Sequence, residues 1–432
     1  MRQTVRPARS LRGVIAPPGD KSISHRAAIL NAIAAGEAVV ENFQRGADCL
    51  STLRCLRLLG VHWEWQDESR LRLAGAGRRG LREPAAVLNC GNSGTTIRLL
   101  CGLLAAQPFF SALTGDASLR SRPMARVIEP LREMGARIWG READTRAPLA
   151  VQGGPDLIGV RYRLPVASAQ VKSALVLAGL YAEGETVISE PAPARDHTER
   201  MLRAMGAQIA FGEGPIVAVS PLRRELAALS LRVPGDISAA APFIVLGAVH
   251  PDAEIRISRV GINPTRTGIL DALRMMGADL TVEEERTWGA EPVADIVVRS
   301  SQLRGAVIGG ALVPRTIDEL PLLALAGCFA QGETIITDAS ELRVKESDRI
   351  QTTASSLRKL GAEVEERPDG LRVWGPQRLQ GKALSSRGDH RLAMMAAAAG
   401  ALAQGETVIH NSDAADVSYP RFWRDLEALR KR

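Results

Sequence analysis

The sequence predicts an α/β protein built by repetition of one small unit, and two recurring patterns support this prediction. The first is a helix that ends in a glycine and is followed at once by a strand, since glycine adopts the positive φ that often ends a helix. These glycines are Gly60, Gly135, Gly206, Gly277 and Gly361. The second is a Gly-Glu turn that opens a strand, at Gly36, Gly184, Gly332 and Gly405. The near-constant spacing of the helix ends argues against an accidental similarity.

Each unit reads as helix, turn, strand, loop, helix, glycine and strand, and six units fit the chain. They span 21–80, 91–155, 167–232, 235–303, 317–378 and 388–432. Six units divide most simply into three and three, and 432 residues are too many for one ordinary core. We therefore expect two domains, residues 19–234 and residues 1–18 plus 235–432. The strand-like segment 11–17 is expected to pair with the second half of the chain, which makes that domain discontinuous.

The composition is that of a soluble globular protein, with 45% hydrophobic residues, 24% charged residues and a net charge of +7. This small excess is weak support for nucleic-acid binding and suits small anionic ligands equally well. The five cysteines form no CxxC pair and are interpreted as small buried hydrophobes in a reducing compartment. No signal-like segment opens the chain, and the longest nearly apolar run, 392–403, is too short to span a bilayer. We expect a cytoplasmic protein.

The first helix of each unit begins with polar residues. Unpaired N–H groups and the positive end of the helix dipole favour anions at such a start. The six starts read Gly19-Asp20-Lys21-Ser22, Gly91-Asn92-Ser93-Gly94-Thr95, Ala167-Ser168-Ala169-Gln170, Gly235-Asp236-Ile237-Ser238, Ile317-Asp318-Glu319-Leu320 and Gly388-Asp389-His390-Arg391. If threefold packing points them inward, one cleft receives up to six positive helix ends and suits a ligand with several negative charges. The alternative at each start is an ordinary helix cap with solvated charges.

Particular residues at or near these starts suit anion binding and proton transfer. Lys21 is one of only six lysines in a chain that otherwise uses arginine, and its ammonium is a compact point charge. Gly94 lets backbone N–H groups approach an anion, although its loop lacks the lysine of a nucleotide-binding loop. Arg122 precedes a proline and can bind a carboxylate through two parallel hydrogen bonds. Asp318 and Glu346 can act as base and acid if their environments differ.

Plainer interpretations of these residues stay open at this point. Arg122 can be a solvated surface charge, and the charged segment 342–349 can be a helix start stabilised by salt bridges. The segment 195–200 opens another helix, for which Asp196 or Thr198 is the expected cap. His197 in that segment has no second metal ligand at a suitable spacing and is interpreted as structural.

Eight ordered motifs give the chain a specific resemblance to a known family. They are PGDKSISHR, GNSGTTIRLL, GDASLRSRPM, ASAQVKSAL, RDHTERML, IDELP, LRVKESDR and GDHRLAM. The chain resembles the enolpyruvyl transferase family of 5-enolpyruvylshikimate-3-phosphate synthases. The resemblance implies a two-domain inside-out α/β barrel of six βαβαββ repeats, three per domain, with the active site in the cleft between the domains.

The resemblance also implies an activity. The family transfers the enolpyruvyl group of phosphoenolpyruvate to the 5-hydroxyl of shikimate 3-phosphate and releases phosphate by addition and elimination, in the biosynthesis of chorismate and aromatic amino acids. It implies no metal and no organic cofactor. It implies a monomer that acts on two small substrates, without nucleic acid or membrane.

The family's site residues carry over motif by motif. The resemblance implies that shikimate 3-phosphate is held by Lys21, Ser22, Arg26, Ser168, Ala169, Gln170, Arg195, Asp318 and Lys345. It implies that phosphoenolpyruvate is held by Lys21, Gly94, Arg122, Gln170, Arg349 and Arg391. Asp318 and Glu346 would transfer the protons with help from Lys21, and which of them serves each step stays open.

The sequence departs from the family pattern near its C-terminus, where Val417 stands in place of a lysine that many members have two residues before an aromatic-Pro pair. Gly94 is retained and leaves room beside phosphoenolpyruvate, so we expect inhibition by the analogue glyphosate.

Two rival functions are weighed against this one. A sister transferase acting on UDP-N-acetylglucosamine typically has a cysteine in the loop 115–124, and none is present here. A catalytically silent binding protein, such as an RNA binder, would need no acid and base pair.

Overall fold

The computed structural model describes residues 1–154 and 156–430. Pro155, which ends the second predicted repeat, and the last two residues of the sixth lie outside the described residues. The chain folds into two compact units. The N-terminal unit comprises Gly19–Val233 and Trp288–Glu291. The C-terminal unit comprises Met1–Pro18, Pro234–Thr287 and the described chain from Pro292 onward.

Each unit contains long helices from the first part of every repeat and shorter ones between them. The helices of the N-terminal unit are α1 (Lys21–Ala32), α2 (Ala47–Leu58), α3 (Gly94–Ala105), α4 (Ala117–Ser121), α5 (Ala125–Glu133), α6 (Arg141–Asp144), α7 (Ala169–Gly179) and α8 (His197–Ala204). Those of the C-terminal unit are α9 (Ile237–Val249), α10 (Gly268–Met275), α11 (Leu312–Thr316), α12 (Leu320–Gly327), α13 (Arg349–Lys359), α14 (His390–Leu402) and α15 (Phe422–Leu429). Short 3₁₀ helices lie at Ser340–Val344 and Ser412–Val417.

The strands are short and fall between these helices. In chain order they are β1 (Arg2–Val5), β2 (Leu11–Ile15), β3 (Ala34–Glu41), β4 (His62–Trp65), β5 (Leu71–Ala76), β6 (Leu88–Asn89), β7 (Phe110–Thr114), β8 (Arg137–Gly140), β9 (Arg146–Gln152), β10 (Arg161–Arg163), β11 (Thr186–Ser189), β12 (Ile209–Phe211), β13 (Ile216–Val219), β14 (Leu226–Ala227), β15 (Leu231–Arg232), β16 (Ala253–Gly261), β17 (Asp279–Trp288), β18 (Glu291–Arg299), β19 (Val307–Ile308), β20 (Gly332–Ile336), β21 (Val364–Arg367), β22 (Gly370–Gly375), β23 (Ala383–Ser385) and β24 (Thr407–His410).

Within the described residues the strands form six separate sheets, one for each predicted repeat. The N-terminal unit holds the sheets β14-β3-β5-β4, β6-β7-β9-β8 and β10-β11-β13-β12, with β15 also paired to β3. The C-terminal unit holds β2-β16-β18-β17, β19-β20-β22-β21 and β1-β24-β23. In every sheet a parallel pair is extended by an antiparallel strand, as in β6, β7 and β9. This recurrence confirms the repeat that the glycine spacing predicted.

The N-terminal strands complete two sheets of the C-terminal unit. β2 lies parallel to β16 with Leu11 opposite Ala253, which confirms the predicted pairing of segment 11–17 with the second half of the chain. β1 runs antiparallel to β24 with Val5 opposite Thr407, a pairing that the sequence did not reveal. Both pairings are long-range and leave no local signal in the sequence.

The predicted helix ends share one geometry. Gly60, Gly135, Gly206, Gly277 and Gly361 have φ between 88° and 94°. At the first of them the N–H of Gly60 donates to Arg57 O and that of Val61 to Leu56 O, a Schellman motif that recurs at the other four. The glycines therefore end α2, α5, α8, α10 and α13 as the sequence predicted.

Three central helices form the interior of each unit. In α1, α3, α7, α9, α12 and α14 nearly every residue is buried, whereas the strands alternate buried and exposed positions. Helices that are buried on all sides belong inside a fold, so the sheets lie on the outer faces of each unit. This confirms the predicted inside-out α/β architecture, although the six sheets of the described residues form no closed barrel. The six central helices begin at the six predicted starts.

Candidate active site

The start of α1 is built from a cap and an ion pair. Asp20 caps the helix by accepting a hydrogen bond from Ile23 N at 2.9 Å. Lys21 Nζ lies 3.1 Å from Asp48 Oδ2, and the two side chains are only 16% and 10% exposed. The alternative of a solvated lysine is therefore wrong, since the ammonium is held in a partly buried ion pair.

Arg26 ties three helices of the N-terminal unit together. Its guanidinium is buried and donates to Thr198 Oγ1 at 2.7 Å and to Ser173 Oγ at 2.8 Å. It also donates to Ser22 O at 3.2 Å and to Ala169 O at 3.5 Å. These bonds join α1 to α7 and α8, and they give Thr198 a partner other than the helix backbone. Of the two expected caps of α8, Asp196 rather than Thr198 occupies the cap position, although it makes no side-chain cap bond.

Other residues of the predicted shikimate 3-phosphate group lie at the starts of α1 and α7, near Arg26. Ser168 caps α7 and accepts from Val171 N at 3.4 Å, and Ala169 is the first residue of that helix. Arg195 Nη1 donates to Ser22 Oγ at 3.4 Å. The starts of α1 and α7 thus bring Ser22, Ala169 and Arg195 together with Arg26.

A second group surrounds Gly94 at the start of α3. Gln170 Oε1 accepts from Arg98 Nη1 at 2.7 Å, and Gln170 Nε2 donates to Thr95 Oγ1 at 2.9 Å. Arg122 donates to Asn92 Oδ1. A Cβ atom placed on Gly94 would lie 2.7 Å from Arg98 Nη1 and 3.3 Å from Arg122 Nη1. The structure thus brings Gly94, Arg122 and Gln170 together, and a side chain at position 94 would require the guanidinium of Arg98 to shift.

Arg98 belongs to this group but was missed by the sequence analysis. It is 3% exposed and lies in the middle of α3, an otherwise apolar helix. A cation within an apolar run was the available signal, since a charge is rarely buried without partners.

In the C-terminal unit three carboxylates form ion pairs with one arginine. Arg349 Nη1 lies 2.9 Å from Asp318 Oδ1, Arg349 Nη2 lies 2.6 Å from Glu346 Oε2, and Arg349 Nε lies 2.8 Å from Asp389 Oδ2. The guanidinium is 1% exposed. Burial alone lowers the pKa of Arg349, but the three carboxylates, Asp389 foremost, outweigh it and raise the pKa above its ordinary value. The side chain therefore stays charged, and it brings the predicted acid and base close together.

Arg391 and Lys345 lie in the same unit. Asp389 caps α14 and accepts from Arg391 N at 2.9 Å. The Arg391 side chain is buried, and its Nε and Nη1 atoms have no hydrogen-bond partner within the described residues. Buried donors without a partner are costly, which makes this guanidinium a suitable ligand for an anion. Lys345 is half-buried and lies 3.4 Å from Glu341 Oε1.

A buried polar network next to Asp318 was also missed by the sequence analysis. Glu319 accepts a hydrogen bond from Ser238 Oγ, and Arg266 donates to Ser238 Oγ at 2.6 Å and to Asp236 Oδ1 at 3.2 Å. Burial raises the pKa of Glu319, and the neighbouring Asp318 raises it further. The network links the start of α9 to that of α12, and the Asp-Glu pair in the IDELP motif was its only sequence signal.

His197 has a buried partner in the same unit. His197 Nδ1 lies 2.7 Å from Glu291 Oε1, and both side chains are at most 3% exposed. Across residues 1–154 and 156–430 no cluster of three or more His, Cys, Asp or Glu side chains is arranged to hold a metal ion. His197 is thus held in a buried pair with Glu291, and its structural role stays a prediction.

Two further expectations concern membrane-spanning helices and the burial of the cysteines. Every helix in the described part of the chain is too short or too polar to cross a membrane. All five cysteine side chains are buried, as predicted.

The chemistry of the two units is complementary. The N-terminal unit presents an ammonium, four guanidinium groups and helix starts that suit phosphate and carboxylate groups. The C-terminal unit presents three carboxyl groups on one guanidinium, and two of them, Asp318 and Glu346, are the predicted acid and base. Six α/β repeats that carry these residues at their helix starts define the class of enolpyruvyl transferases.

Comparison with known proteins narrows this class to one family. The family model described as EPSP synthase (3-phosphoshikimate 1-carboxyvinyltransferase) matches residues 5–426. The chain therefore belongs to the EPSP synthase family.

Relatives and solved structures agree with this assignment. A 3-phosphoshikimate 1-carboxyvinyltransferase of Desulforudis audaxviator is 56% identical over 427 residues and covers 99% of both chains. One of Herpetosiphon aurantiacus is 53% identical over 432 residues and covers 100% of both. The solved EPSP synthase from Acinetobacter baumannii superimposes with a TM-score of 0.88 at 43% identity, covering 99% of this chain and 98% of that chain.

Proposed function

We propose that the chain transfers the enolpyruvyl group of phosphoenolpyruvate to the 5-hydroxyl of shikimate 3-phosphate, giving 5-enolpyruvylshikimate 3-phosphate and phosphate. Membership of the EPSP synthase family supports this function. The observation that carries it is the convergence of Asp318 and Glu346 on the buried guanidinium of Arg349. A protein that only binds anions has no need of two carboxyl groups held at one cation.

The shikimate 3-phosphate site draws mainly on the starts of α1 and α7. Its phosphate matches the arginine and hydroxyl groups there, because phosphate accepts several charge-assisted hydrogen bonds. The proposed ligands are Lys21, Ser22, Arg26, Ser168, Ala169, Gln170, Arg195, Asp318 and Lys345. The close packing of Ser22, Ala169 and Arg195 around Arg26 supports this group.

The proposed phosphoenolpyruvate ligands are mainly cations at or near helix starts. Its proposed ligands are Lys21, Gly94, Arg122, Gln170, Arg349 and Arg391. Arg391 has unpartnered donors, and Gly94 keeps the space between two guanidinium groups open. Phosphoenolpyruvate carries a carboxylate and a phosphate, and this set of cations offers a partner to each.

The proton transfers fall to Asp318, Glu346 and Lys21. In the addition step the substrate hydroxyl loses a proton while the methylene carbon of phosphoenolpyruvate gains one, which gives a tetrahedral intermediate. In the elimination step the new methyl group loses a proton and phosphate leaves. Each step thus needs one donor and one acceptor, roles that we assign to Asp318, Glu346 and Lys21 together.

The direct experiment mixes the protein with shikimate 3-phosphate and phosphoenolpyruvate and measures phosphate release. We expect release that depends on both substrates and is inhibited by glyphosate in competition with phosphoenolpyruvate. No release, together with activity on UDP-N-acetylglucosamine, would overturn the assignment.

The remaining proposals concern the setting of the reaction. We place it in the cytoplasm, within the biosynthesis of chorismate and aromatic amino acids, with no metal or organic cofactor. We propose that the predicted domains, 19–234 and 1–18 plus 235–432, are the working domains of a monomer. Light scattering of the purified protein tests the monomer.

A further inference from the structure

Three ionisable side chains of the N-terminal unit are buried together and have no part in the mechanism above. Lys172 Nζ lies 2.7 Å from Glu190 Oε2 and 2.9 Å from Glu199 Oε1. The side chains are 2%, 2% and 0% exposed. Burial lowers the pKa of Lys172, but Glu199 and Glu190 outweigh it and raise the pKa, so the ammonium stays charged. Lysine side chains are rarely buried this deeply in proteins. This chain has only six lysines.

The ion pair also binds the backbone of Ala194 on both sides of its Cα atom. Lys172 Nζ donates to Ala194 O at 3.2 Å, and Ala194 N donates to Glu190 Oε2 at 3.4 Å. Ala194 directly precedes Arg195, in a loop whose prolines at 191 and 193 offer no N–H of their own. The backbone that leads into Arg195 is therefore fixed by the buried pair.

Arg195 in turn reaches the start of α1. Its Nη1 atom donates to Ser22 Oγ at 3.4 Å, a long bond that by itself orients the side chain weakly. The next helix, α8, begins at His197, and its Thr198 bonds to Arg26. The loop 190–196 thus connects the buried Lys172–Glu190 pair to Arg195 and Arg26, the cations that are proposed to hold phosphate.

We propose that Lys172 is a positioning residue for the phosphate site: it holds the carbonyl of Ala194 while Glu190 holds the N–H of Ala194, and together they direct the guanidinium of Arg195 toward the phosphate of shikimate 3-phosphate. This inference rests on the proposed function. Stability alone is a poor explanation for the group, because well-packed apolar side chains commonly stabilise a protein as well as a buried ion pair does. The fixed backbone geometry at Ala194 explains better why Lys172 and Glu190 form a charged pair.

The test compares Lys172→Met with the matched control Glu199→Gln. Methionine keeps much of the lysine stem but cannot donate to Ala194 O. Glu199→Gln also removes one buried charge beside Lys172, but Glu199 lies in α8, and the N–H of Ala194 donates to Glu190 instead. The affinity for shikimate 3-phosphate and for shikimate, which lacks the phosphate, is measured by titration calorimetry without phosphoenolpyruvate.

We expect Lys172→Met to weaken shikimate 3-phosphate binding about tenfold or more, the scale of a charge-assisted hydrogen bond, and to leave shikimate binding unchanged. Glu199→Gln is expected to leave both affinities unchanged. In steady-state assays Lys172→Met should raise KM for shikimate 3-phosphate and leave KM for phosphoenolpyruvate unchanged. If Lys172→Met does not fold, the double variant Lys172→Met/Glu199→Gln, which leaves one buried carboxyl group, carries the same expectation.

Wild-type affinity for shikimate 3-phosphate in the folded Lys172 variant would overturn the inference. An equal loss of affinity for shikimate, or an equal loss in Glu199→Gln, would also overturn it, because either result indicates general damage. The proposed function fails separately, if the wild-type protein releases no phosphate from the two substrates.

Discussion

At the scale of the residue, Lys21 and Asp318 are the side chains whose removal should cost most activity. Lys21 is an ammonium held beside Asp48, and Asp318 is a carboxylate held on Arg349. We expect Lys21→Ala and Asp318→Ala each to lower kcat about a hundredfold or more, the usual scale for acid, base and electrostatic groups. Phosphate release measures this. The control is Lys359→Ala, since Lys359 is an exposed lysine near the end of α13, and near-normal rates in the two site variants would refute their roles.

Gly94 is the residue whose lack of a side chain matters most for phosphoenolpyruvate. A Cβ atom there would come within 2.7 Å of Arg98 Nη1, which also holds Gln170. We expect Gly94→Ala to raise KM for phosphoenolpyruvate and the inhibitory concentration of glyphosate, each by about tenfold, as when one charge-assisted bond is lost. Steady-state kinetics measure both.

The control for this substitution is Gly154→Ala, because a Cβ atom on Gly154 meets nothing within 4 Å. Unchanged kinetics in Gly94→Ala would show that the two guanidinium groups move aside at no cost.

His25 predicts a pH dependence of stability. Burial, and then Lys21 and Arg26, hold the pKa of His25 well below its ordinary value of 6.5. Below pH 6.5 His25 is therefore protonated in the unfolded chain. In the folded chain it becomes protonated only at a lower pH. The stability linked to His25 is complete above pH 6.5 and is lost as the pH falls toward the folded pKa, by about 1.4 kcal/mol for each pH unit.

Urea unfolding of the wild type and of His25→Gln at pH 7 and pH 5 measures this loss. Glutamine can keep a bond to Thr52 Oγ1, which lies 2.7 Å from His25 Nδ1, but it does not titrate. The stability of the wild type relative to His25→Gln should be lower at pH 5 than at pH 7. An identical difference at both pH values would contradict the prediction.

At the scale of the element, the helix ends depend on glycine for their backbone conformation. Gly361 has a φ of 93°, and a Cβ atom on it would meet nothing within 4 Å. We therefore expect Gly361→Ala to lower the free energy of unfolding by about 1–2 kcal/mol through backbone strain alone. Asparagine tolerates this conformation better, so Gly361→Asn should cost less. Urea unfolding ranks the two variants, and equal stability of wild type and Gly361→Ala would exclude strain.

The starts of the central helices show which structural features the local sequence can predict. Asp20, Ser93, Ser168, Asp236 and Asp389 each cap their helix through a side-chain oxygen, as such residues commonly do. The sequence thus predicted where these helices begin. It could not predict that Asp389 also binds Arg349, because that bond joins residues 40 positions apart.

At the scale of the whole molecule, the two units have separate interiors. The buried apolar residues fall into two clusters, one within each unit. We expect a fragment of residues 19–233 to fold by itself, because it contains three complete sheets and their central helices. It lacks Asp318, Glu346 and Arg349, so it should release no phosphate.

Circular dichroism and thermal unfolding of the fragment measure the first expectation, and a phosphate assay measures the second. The fragment loses Glu291, the partner of His197, so a lower melting temperature than that of the full chain is expected. The lack of a cooperative transition would contradict the independence of the N-terminal unit.

The sequence by itself determined the features that depend on neighbouring residues. These are the six repeats, the glycines that end helices, the polar starts of the central helices and the residue types suited to anions and protons. Each follows from local backbone preference or from the chemistry of a single side chain.

Only the tertiary structure decided which of these residues meet. The pairing of β1 with β24, the three carboxylates on Arg349, the contacts of Arg26 and the buried Lys172 pair all join distant parts of the chain. One sequence contains no record of such pairs, because they arise from packing whole helices and sheets against one another. The partners that surround the buried side chains of Arg98 and Lys172 were likewise decided only by that packing.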